Sequence, residues 1–349
     1  MTAAGPDRTS RITTFVGRGR VRLQAQAFGR PEDEAILLIA GATNCMHWWA
    51  DDFCLVIANA GRFVVRYDHR DTGSSSRCDP GAPDYGFDDI VGDAEAVASA
   101  FELHKPHLVG ISMGGAVVQR IAVGTPGMAA SLTLMSTSPG SAPGRAIYPD
   151  LPPVSQRLRA AFATQSPEQD FARVIVSAQH LLSGSVAPSD AELREIAELV
   201  AAEPAGRAAL TTHPGLNPGA EYRTHLPRVA TRTLVVHGTE DPLYPFGHAE
   251  ALAAEIPEAT LLPLDGVGHQ YPPRPTWPVL IPRLLTHTSG PPSGLPQKET
   301  PGILPNVTAL RSLTADSEPA CRPGQPSGFG GGWPGSRLQA GARTTIKPA

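Results

Sequence analysis

The amino-acid sequence predicts an α/β fold, with a doubly wound, mostly parallel β-sheet and helices on both of its faces. Short apolar runs of strand length alternate along the chain with segments in which apolar residues recur at helical spacing. The clearest run is apolar throughout rather than at every second position, as is typical of a strand covered on both faces of a parallel sheet. Strands that alternate with helices of these lengths predict this fold class.

The elements follow one another in a regular order. Residues 20–28 alternate apolar and polar side chains and indicate one strand of an early hairpin. The continuous apolar run 35–40 predicts the next strand, and the helix predicted over 48–60 stops at Gly61. Further strands are predicted at 63–67, 107–111, 131–135, 233–237 and 260–263, and further helices at 90–103, 114–123, 249–256 and 277–285.

The alternation stops after residue 138. Residues 139–227 hold three helical patterns, at 154–164, 169–182 and 189–202, and no strong strand candidate. We interpret this insertion as a helical lid over one edge of a core made of residues 1–138 and 228–289, because its helices are few and short for an independent domain. Residues 290–349 contain 20 Gly or Pro among 60 residues, which predicts a disordered tail outside the fold.

Composition excludes several classes of partner. The chain has 29 Lys and Arg against 33 Asp and Glu, a net charge of −4, so no global charge attracts nucleic acid or an anionic membrane. It contains no apolar run of membrane-spanning length, and residues 1–10 lack the apolar core of a signal peptide. The four Cys have no C-x-x-C spacing, which argues against a zinc site or a disulfide scaffold. We therefore expect a soluble cytoplasmic protein with reduced cysteines and no zinc site.

The most specific motif is Gly-Ile-Ser-Met-Gly at 110–114, between a predicted strand and a predicted helix. A serine on such a tight turn has a strained backbone and an exposed hydroxyl, as expected of a nucleophile. Ser112 is therefore the predicted nucleophile. The N–H of Met113, at the positive end of the helix, is the first predicted donor to an oxyanion.

A serine nucleophile needs a base and a carboxylate that orients the base. His269 follows the last predicted strand and is the predicted base, whereas His237 ends a strand where packing is the better explanation. Asp241 follows the preceding strand and is the predicted acid, ahead of its neighbour Glu240. The order Ser112, Asp241, His269 is the one found in α/β-hydrolases.

The second oxyanion donor is expected in the loop after the strand at 35–40. The turn 40–43 is small, and the N–H of Ala42 is the favoured donor, followed by Gly41. Further along this loop, His47 and Trp48 are candidates for contact with substrate, as is Gly41. Trp48 could equally anchor the next helix, and for Trp49 anchoring is the preferred interpretation.

Residues 14–286 resemble the α/β-hydrolase superfamily. Within it, residues 66–75 (RYDHRDTGSS) and 83–87 (PDYGF) are similar to the aclacinomycin methylesterase type of anthracycline polyketide biosynthesis. Ser112, Asp241 and His269 match the motifs of that family. The resemblance implies a cofactor-independent hydrolase of a bulky, largely apolar carboxylic ester, a small molecule from which methanol would leave. Within residues 66–75, we expect Asp68 and Arg70 to form an ion pair that fixes the loop.

Other functions remain open on the same residues. The same triad can cleave C–C bonds in diketones, hydrolyse lactones or support perhydrolysis. A ligand-binding protein without turnover, or a protein that acts through its tail, is a further alternative. The sequence makes no prediction of the oligomeric state or the individual substrate.

Overall fold

The computed structural model describes residues 11–79, 82–142, 148–155, 158 and 170–289. In this part of the chain, eight strands form one sheet in the order β1-β2-β4-β3-β5-β6-β7-β8. The strands are β1 (Arg11–Arg18), β2 (Val21–Phe28), β3 (Glu34–Ile39), β4 (Arg62–Tyr67), β5 (His107–Ile111), β6 (Ser131–Met135), β7 (Thr233–Gly238) and β8 (Thr260–Leu264). β1 and β2 form the predicted hairpin, β2 pairs antiparallel with β4, and every pair from β4 to β8 is parallel.

Eight α-helices accompany these strands in the described ranges. They are α1 (Asp51–Asn59), α2 (Phe87–Ala100), α3 (Met113–Gly124), α4 (Phe171–Leu182), α5 (Asp190–Ala202), α6 (Ala208–Thr212), α7 (Gly247–Glu255) and α8 (Trp277–Thr288). Short 3₁₀ turns occur at Met46–Trp48, His213–Gly215, Arg223–Arg228 and Arg274–Thr276. None of these helices is long and apolar enough to cross a membrane.

The two faces of the sheet are covered by different helices. α2, α3 and α7 pack on one face, and α1 and α8 pack on the other. In β3, Leu37 and Ile39 join the first core, whereas Ile36 and Leu38 join the second. Because both faces of this strand are buried, it needs apolar residues at consecutive positions. The predicted α/β-hydrolase fold with its doubly wound sheet is confirmed.

Most predicted boundaries lie within a few residues of the observed ones. The helix predicted over 48–60 begins later, at Asp51, because Met46–Trp48 forms a separate 3₁₀ turn that ends at Trp49. In the insertion, α4 and α5 correspond to the helices predicted at 169–182 and 189–202. α5 begins with a capping box, in which Ser189 Oγ accepts the N–H of Glu192 and Glu192 Oε2 accepts the N–H of Ser189.

Two predictions fall mainly on residues that the structure does not describe. The helix predicted at 154–164 lies largely outside the described residues, and the tail at 290–349 lies entirely outside them. The division into a core and a lid stays a prediction. Within 208–228, α6 and two 3₁₀ turns are present that the sequence did not predict.

Candidate active site

Ser112 lies in the turn between β5 and α3, with φ +53° and ψ −116°. Its N–H donates to Met135 O (2.9 Å), and its carbonyl accepts the Thr137 hydroxyl (2.9 Å). Positive φ is unfavourable for a residue with a side chain, so these contacts hold a strained backbone in place. The strain directs Oγ away from the helix and into the space beyond the strand ends.

The glycines that flank Ser112 are required by close backbone contacts. A Cβ at Gly110 would lie 2.2 Å from the carbonyl oxygen of Gly114, and one at Gly114 would lie 2.2 Å from that of Ile39. Both distances are far below van der Waals contact, so alanine at either position would displace α3 or β3. The turn therefore requires glycine at both of these positions of the Gly-x-Ser-x-Gly pattern.

Ser112, His269 and Asp241 form one hydrogen-bonded chain. The Ser112 hydroxyl donates to His269 Nε2 (3.0 Å), and His269 Nδ1–H donates to Asp241 Oδ2 (2.8 Å). Asp241 follows β7 and His269 follows β8, so residues distant in sequence meet at the carboxyl ends of neighbouring strands. The three residues predicted from separate strand ends are thus brought together, with His269 hydrogen-bonded to both of the others.

The environment of Asp241 favours the ionised carboxylate. The side chain is fully buried, and its Oδ1 accepts the N–H groups of Leu243 (2.8 Å) and Tyr244 (2.7 Å). Burial acts to raise the pKa of Asp241, but the His269 ring and these hydrogen bonds hold the pKa below its usual value. An ionised carboxylate thus faces the imidazole near neutral pH.

His237 has the structural role that the sequence suggested. It is fully buried, and its Nε2–H donates to the carbonyl oxygen of Tyr244 (2.7 Å). Burial lowers the pKa of His237, so the ring is neutral beside the Asp241 carboxylate. His237 therefore fixes the loop that carries Asp241.

The turn after β3 leaves one backbone donor available. The N–H of Gly41 donates to Tyr271 Oη (2.9 Å), and that of Thr43 donates to His213 Nδ1 (2.9 Å). Among the described residues, no acceptor is bonded to the N–H of Ala42 between them. Of the two donors predicted here, Gly41 is therefore engaged, and Ala42 remains available together with the N–H of Met113 in the first turn of α3.

The predicted substrate contacts, His47 and Trp48, lie beside a pocket that Ser112, Asp241 and His269 do not line. His47 Nε2 is 2.8 Å from Glu203 Oε1 at the end of α5, and the ring of Trp48 stacks on that of Tyr271 at 5.6 Å. Both residues border a pocket of about 390 Å³ whose lining includes none of Ser112, Asp241 and His269. Contact of His47 and Trp48 with substrate stays a prediction, and Trp49 packs on Phe53 of α1 as an anchor.

The expected ion pair between Asp68 and Arg70 is wrong. Arg70 instead pairs with the buried Asp93 of α2, through Nε (2.7 Å) and Nη2 (2.9 Å). Asp68 accepts the N–H groups of Met46 (2.7 Å) and Ser74 (3.1 Å) and thereby connects this loop to the loop after β3. Burial raises the pKa of Asp68 to about 6.

A turn in the insertion contacts the two loops that carry Asp241 and His269. The N–H of His269 donates to Leu182 O (2.7 Å), and the Gln270 side chain donates to Val186 O (2.9 Å). The backbone and hydroxyl of Ser185 donate to the Glu240 carboxylate at 2.6 and 2.9 Å. These residues gave no motif in the sequence; only the position of Glu240 and Gln270 next to predicted site residues could have suggested them.

No group of three or more His, Cys, Asp or Glu side chains in the described ranges is arranged to hold a metal ion. The chemistry that the site itself offers is that of a polarised hydroxyl, an imidazole, a buried carboxylate and two backbone N–H groups. Such a set of groups suits nucleophilic acyl transfer.

The chain is similar to several known proteins. The family model described as the alpha/beta hydrolase fold matches residues 34–270. The chain is 34% identical over 280 residues to rhodomycin D methylesterase DnrP of Streptomyces peucetius, which covers 74% of this chain and 93% of that protein. It is 33% identical to rhodomycin D methylesterase DauP of Streptomyces sp. strain C5, with the same shares covered.

Solved structures support the fold independently. The chain superimposes on the 2-hydroxy-6-oxo-6-phenylhexa-2,4-dienoate hydrolase of Rhodococcus sp. strain RHA1 with a TM-score of 0.61, at 23% identity, over 80% of this chain and 98% of that one. At this level of identity the likeness concerns the fold alone. Together with the match of the family model over most of the chain, it shows that this protein belongs to the α/β hydrolase fold family.

Proposed function

We propose that this protein is a serine hydrolase that cleaves a carboxylic ester through an acyl-enzyme. The observation that carries the proposal is the chain from Ser112 Oγ through the His269 ring to Asp241 Oδ2, with distances of 3.0 and 2.8 Å. The strained backbone of Ser112 and the free N–H groups of Ala42 and Met113 supply the remaining requirements of such a site. Ester hydrolysis also agrees with the relationship to two methylesterases.

Acylation begins when Ser112 Oγ attacks the ester carbonyl. His269 Nε2 takes the hydroxyl proton, and the Asp241 carboxylate stabilises the imidazolium that forms. The N–H groups of Ala42 and Met113 donate to the oxyanion of the tetrahedral intermediate. The intermediate collapses as His269 returns the proton to the departing alcohol, which leaves the acyl group on Ser112.

Deacylation uses the same residues with water as the nucleophile. His269 takes a proton from water, which attacks the acyl carbonyl, and the same two N–H groups stabilise the second oxyanion. The carboxylic acid leaves, and the proton returns to Ser112. The net reaction consumes one ester and one water and releases one acid and one alcohol.

The proposed substrate is the methyl ester of a bulky, largely apolar molecule of the polyketide type. Its support is the 34% identity to rhodomycin D methylesterase DnrP, in an alignment that covers 74% of this chain and 93% of that relative. The leaving group is then methanol. No cofactor is required by the steps above.

Ser112→Ala tests the nucleophile. We expect kcat on a chromogenic ester to fall by about 10⁴-fold or more, because the variant lacks the hydroxyl that forms the acyl-enzyme. A fluorophosphonate probe should modify the unaltered protein once, at Ser112, and leave the variant unmodified. Near-normal turnover by Ser112→Ala would contradict the proposal, as would a native protein that the probe does not modify.

The bond that is cleaved is tested separately with a substrate panel. Methyl esters of polycyclic aromatic acids are compared with lactones, diketones and a mixture of carboxylic acid and peroxide, with mass analysis of the products. We expect methanol and the free acid, with one oxygen from ¹⁸O-labelled water in the acid. Faster cleavage of a diketone or a lactone would replace the ester assignment while leaving the nucleophile in place.

A further inference from the structure

The three peptide groups around Ala42 are held by different partners. In the peptide between residues 40 and 41, Ala40 O accepts His69 Nε2–H (3.0 Å) and Gly41 N–H donates to Tyr271 Oη (2.9 Å). In the next peptide, Gly41 O accepts the N–H of Asn44 (3.3 Å), whereas the N–H of Ala42 remains free. The orientation of this second peptide therefore depends on how firmly its neighbours are fixed.

The third peptide is held from outside the core. Thr43 N–H donates to Nδ1 of His213 (2.9 Å), which lies in the insertion between β6 and β7. Thr43 has φ +66°, a conformation that a residue with a side chain rarely adopts without support. The hydrogen bond that the Thr43 N–H donates to His213 supplies such support at the residue that follows Ala42.

The partners of His213 define a single tautomer. The ring is fully buried, and its Nε2 lies 2.9 Å from the carbonyl oxygen of Arg70, which can only accept. Nε2 therefore carries the proton, and Nδ1 presents the lone pair that the N–H of Thr43 needs. Burial lowers the pKa of His213 to about 4, so the ring is neutral near neutral pH.

We propose that His213 is a positioning residue for the oxyanion site, in which its Nδ1 holds the peptide after Ala42 and so directs the Ala42 N–H at the substrate oxygen. This inference rests on the proposed function, because it assigns the Ala42 N–H to the oxyanion. It makes the insertion a structural part of the catalytic site, in addition to its predicted role as a cover.

Two amide substitutions separate the two hydrogen bonds of the ring. His213→Asn places a carbonyl oxygen near the position of Nδ1 and keeps an acceptor for Thr43, but it loses the donor to Arg70. His213→Gln reaches the position of Nε2 and keeps a donor for Arg70, but it loses the acceptor. Both variants remove a buried ring, and this removal alone can lower activity. Each variant is therefore the control for that loss in the other.

We expect the two variants to differ in kcat and not in KM. His213→Gln should lose about 10- to 100-fold in kcat, less than the roughly 10²–10³-fold cost of removing an oxyanion donor altogether. His213→Asn should stay within about fivefold of the native protein, since it retains the acceptor that the site needs. A boronic acid, whose tetrahedral adduct places an oxygen in the oxyanion site, should lose affinity for the Gln variant by the same factor as kcat.

Equal losses in both folded variants would overturn the inference, as would a loss confined to KM. These outcomes are distinct from failure of the proposed function, which would appear as a native protein that neither turns over esters nor reacts with a fluorophosphonate at Ser112. If a variant does not fold, the hydrogen bond is tested instead by ¹⁵N NMR spectroscopy of the native protein. A scalar coupling between the Thr43 amide nitrogen and His213 Nδ1 is expected, and a protonated Nδ1 would refute the proposal.

Discussion

The two oxygens of Asp241 have different partners, and this separation fixes the proton on His269. Oδ1 accepts two backbone N–H groups, from Leu243 and Tyr244, and Oδ2 accepts Nδ1–H of His269. With Nδ1 protonated, Nε2 has a lone pair for the proton of Ser112. The geometry around one carboxylate therefore decides which nitrogen of His269 would act as the proposed base.

Asp241→Asn should therefore inactivate the protein while leaving its fold intact. The amide oxygen will take the position that accepts the two backbone N–H groups, so the NH₂ group must face Nδ1. His269 then carries its proton on Nε2 and cannot accept one from Ser112, and we expect kcat to fall by about 10⁴-fold. Activity on a chromogenic ester and the thermal midpoint are measured together. A variant with unchanged kcat would show that Asp241 is not the orienting acid.

At the scale of single residues, sequence reasoning best predicted which side chains lie together where each of them follows a strand. Ser112, Asp241 and His269 each have that position, and the strand ends meet at one edge of the sheet. The partner of Arg70 could not be found in this way, because Asp93 lies on a helix far along the chain and only packing brings the two together. A free backbone N–H, as at Ala42, does not depend on the type of side chain. Its prediction from the sequence therefore rests only on the expected position of the turn.

At the level of elements, the backbone at the end of α4 in the insertion lies very close to the backbone of the loop that carries His269. A Cβ at Gly268 would lie 2.1 Å from Leu182 O and 2.5 Å from Gly184 N. The N–H of His269 donates to that same Leu182 oxygen at 2.7 Å. Gly268 thus permits the contact that sets the position of the imidazole relative to the end of α4.

Gly268→Ala should displace His269 and lower kcat by about 10-fold or more, because a shift near 1 Å in a reacting group can cost about 10²-fold. Gly17→Ala is the matched control, since a Cβ at Gly17 meets no atom within 4 Å. Steady-state kinetics and thermal midpoints of both variants are compared with the native protein. A native kcat in Gly268→Ala, or an equal loss of kcat in Gly17→Ala, would show that the contact at Gly268 does not set the position of His269.

Strands and long helices were predictable from the sequence, whereas short helices were not. β3 and α5 have the length and periodicity that a pattern needs, and α5 also has the Ser189 and Glu192 of a capping box. α6 has only five residues, and the turn His213–Gly215 has three, so neither completes two helical periods. The contact of His213 with the turn after β3 thus depends on a segment whose structure local sequence does not determine.

For the whole molecule, three buried histidines contribute to the dependence of stability on pH. Burial lowers the pKa of His69, His107 and His213 to about 4 from an ordinary value of 6.5. Between these values the unfolded chain binds protons at these rings that the native protein does not, so native stability falls as the pH decreases. Asp68 acts in the opposite direction, because its raised pKa of about 6 lets the native protein bind a proton first.

The three histidines lower the native stability by more than Asp68 raises it, so acidification from pH 7 to pH 5 should destabilise the protein. We expect the thermal midpoint to be lower at pH 5 than at pH 7 by about 5 °C or more, given that 1 kcal/mol shifts the midpoint of a domain of this size by roughly 2–4 °C. Differential scanning calorimetry at constant ionic strength measures the midpoint at both pH values. His107→Asn provides a control outside the proposed site, and its midpoint should depend less on pH. A midpoint that is constant or higher at pH 5 would mean that these rings are protonated in the native state, which would also remove the lone pair that His213 offers to Thr43.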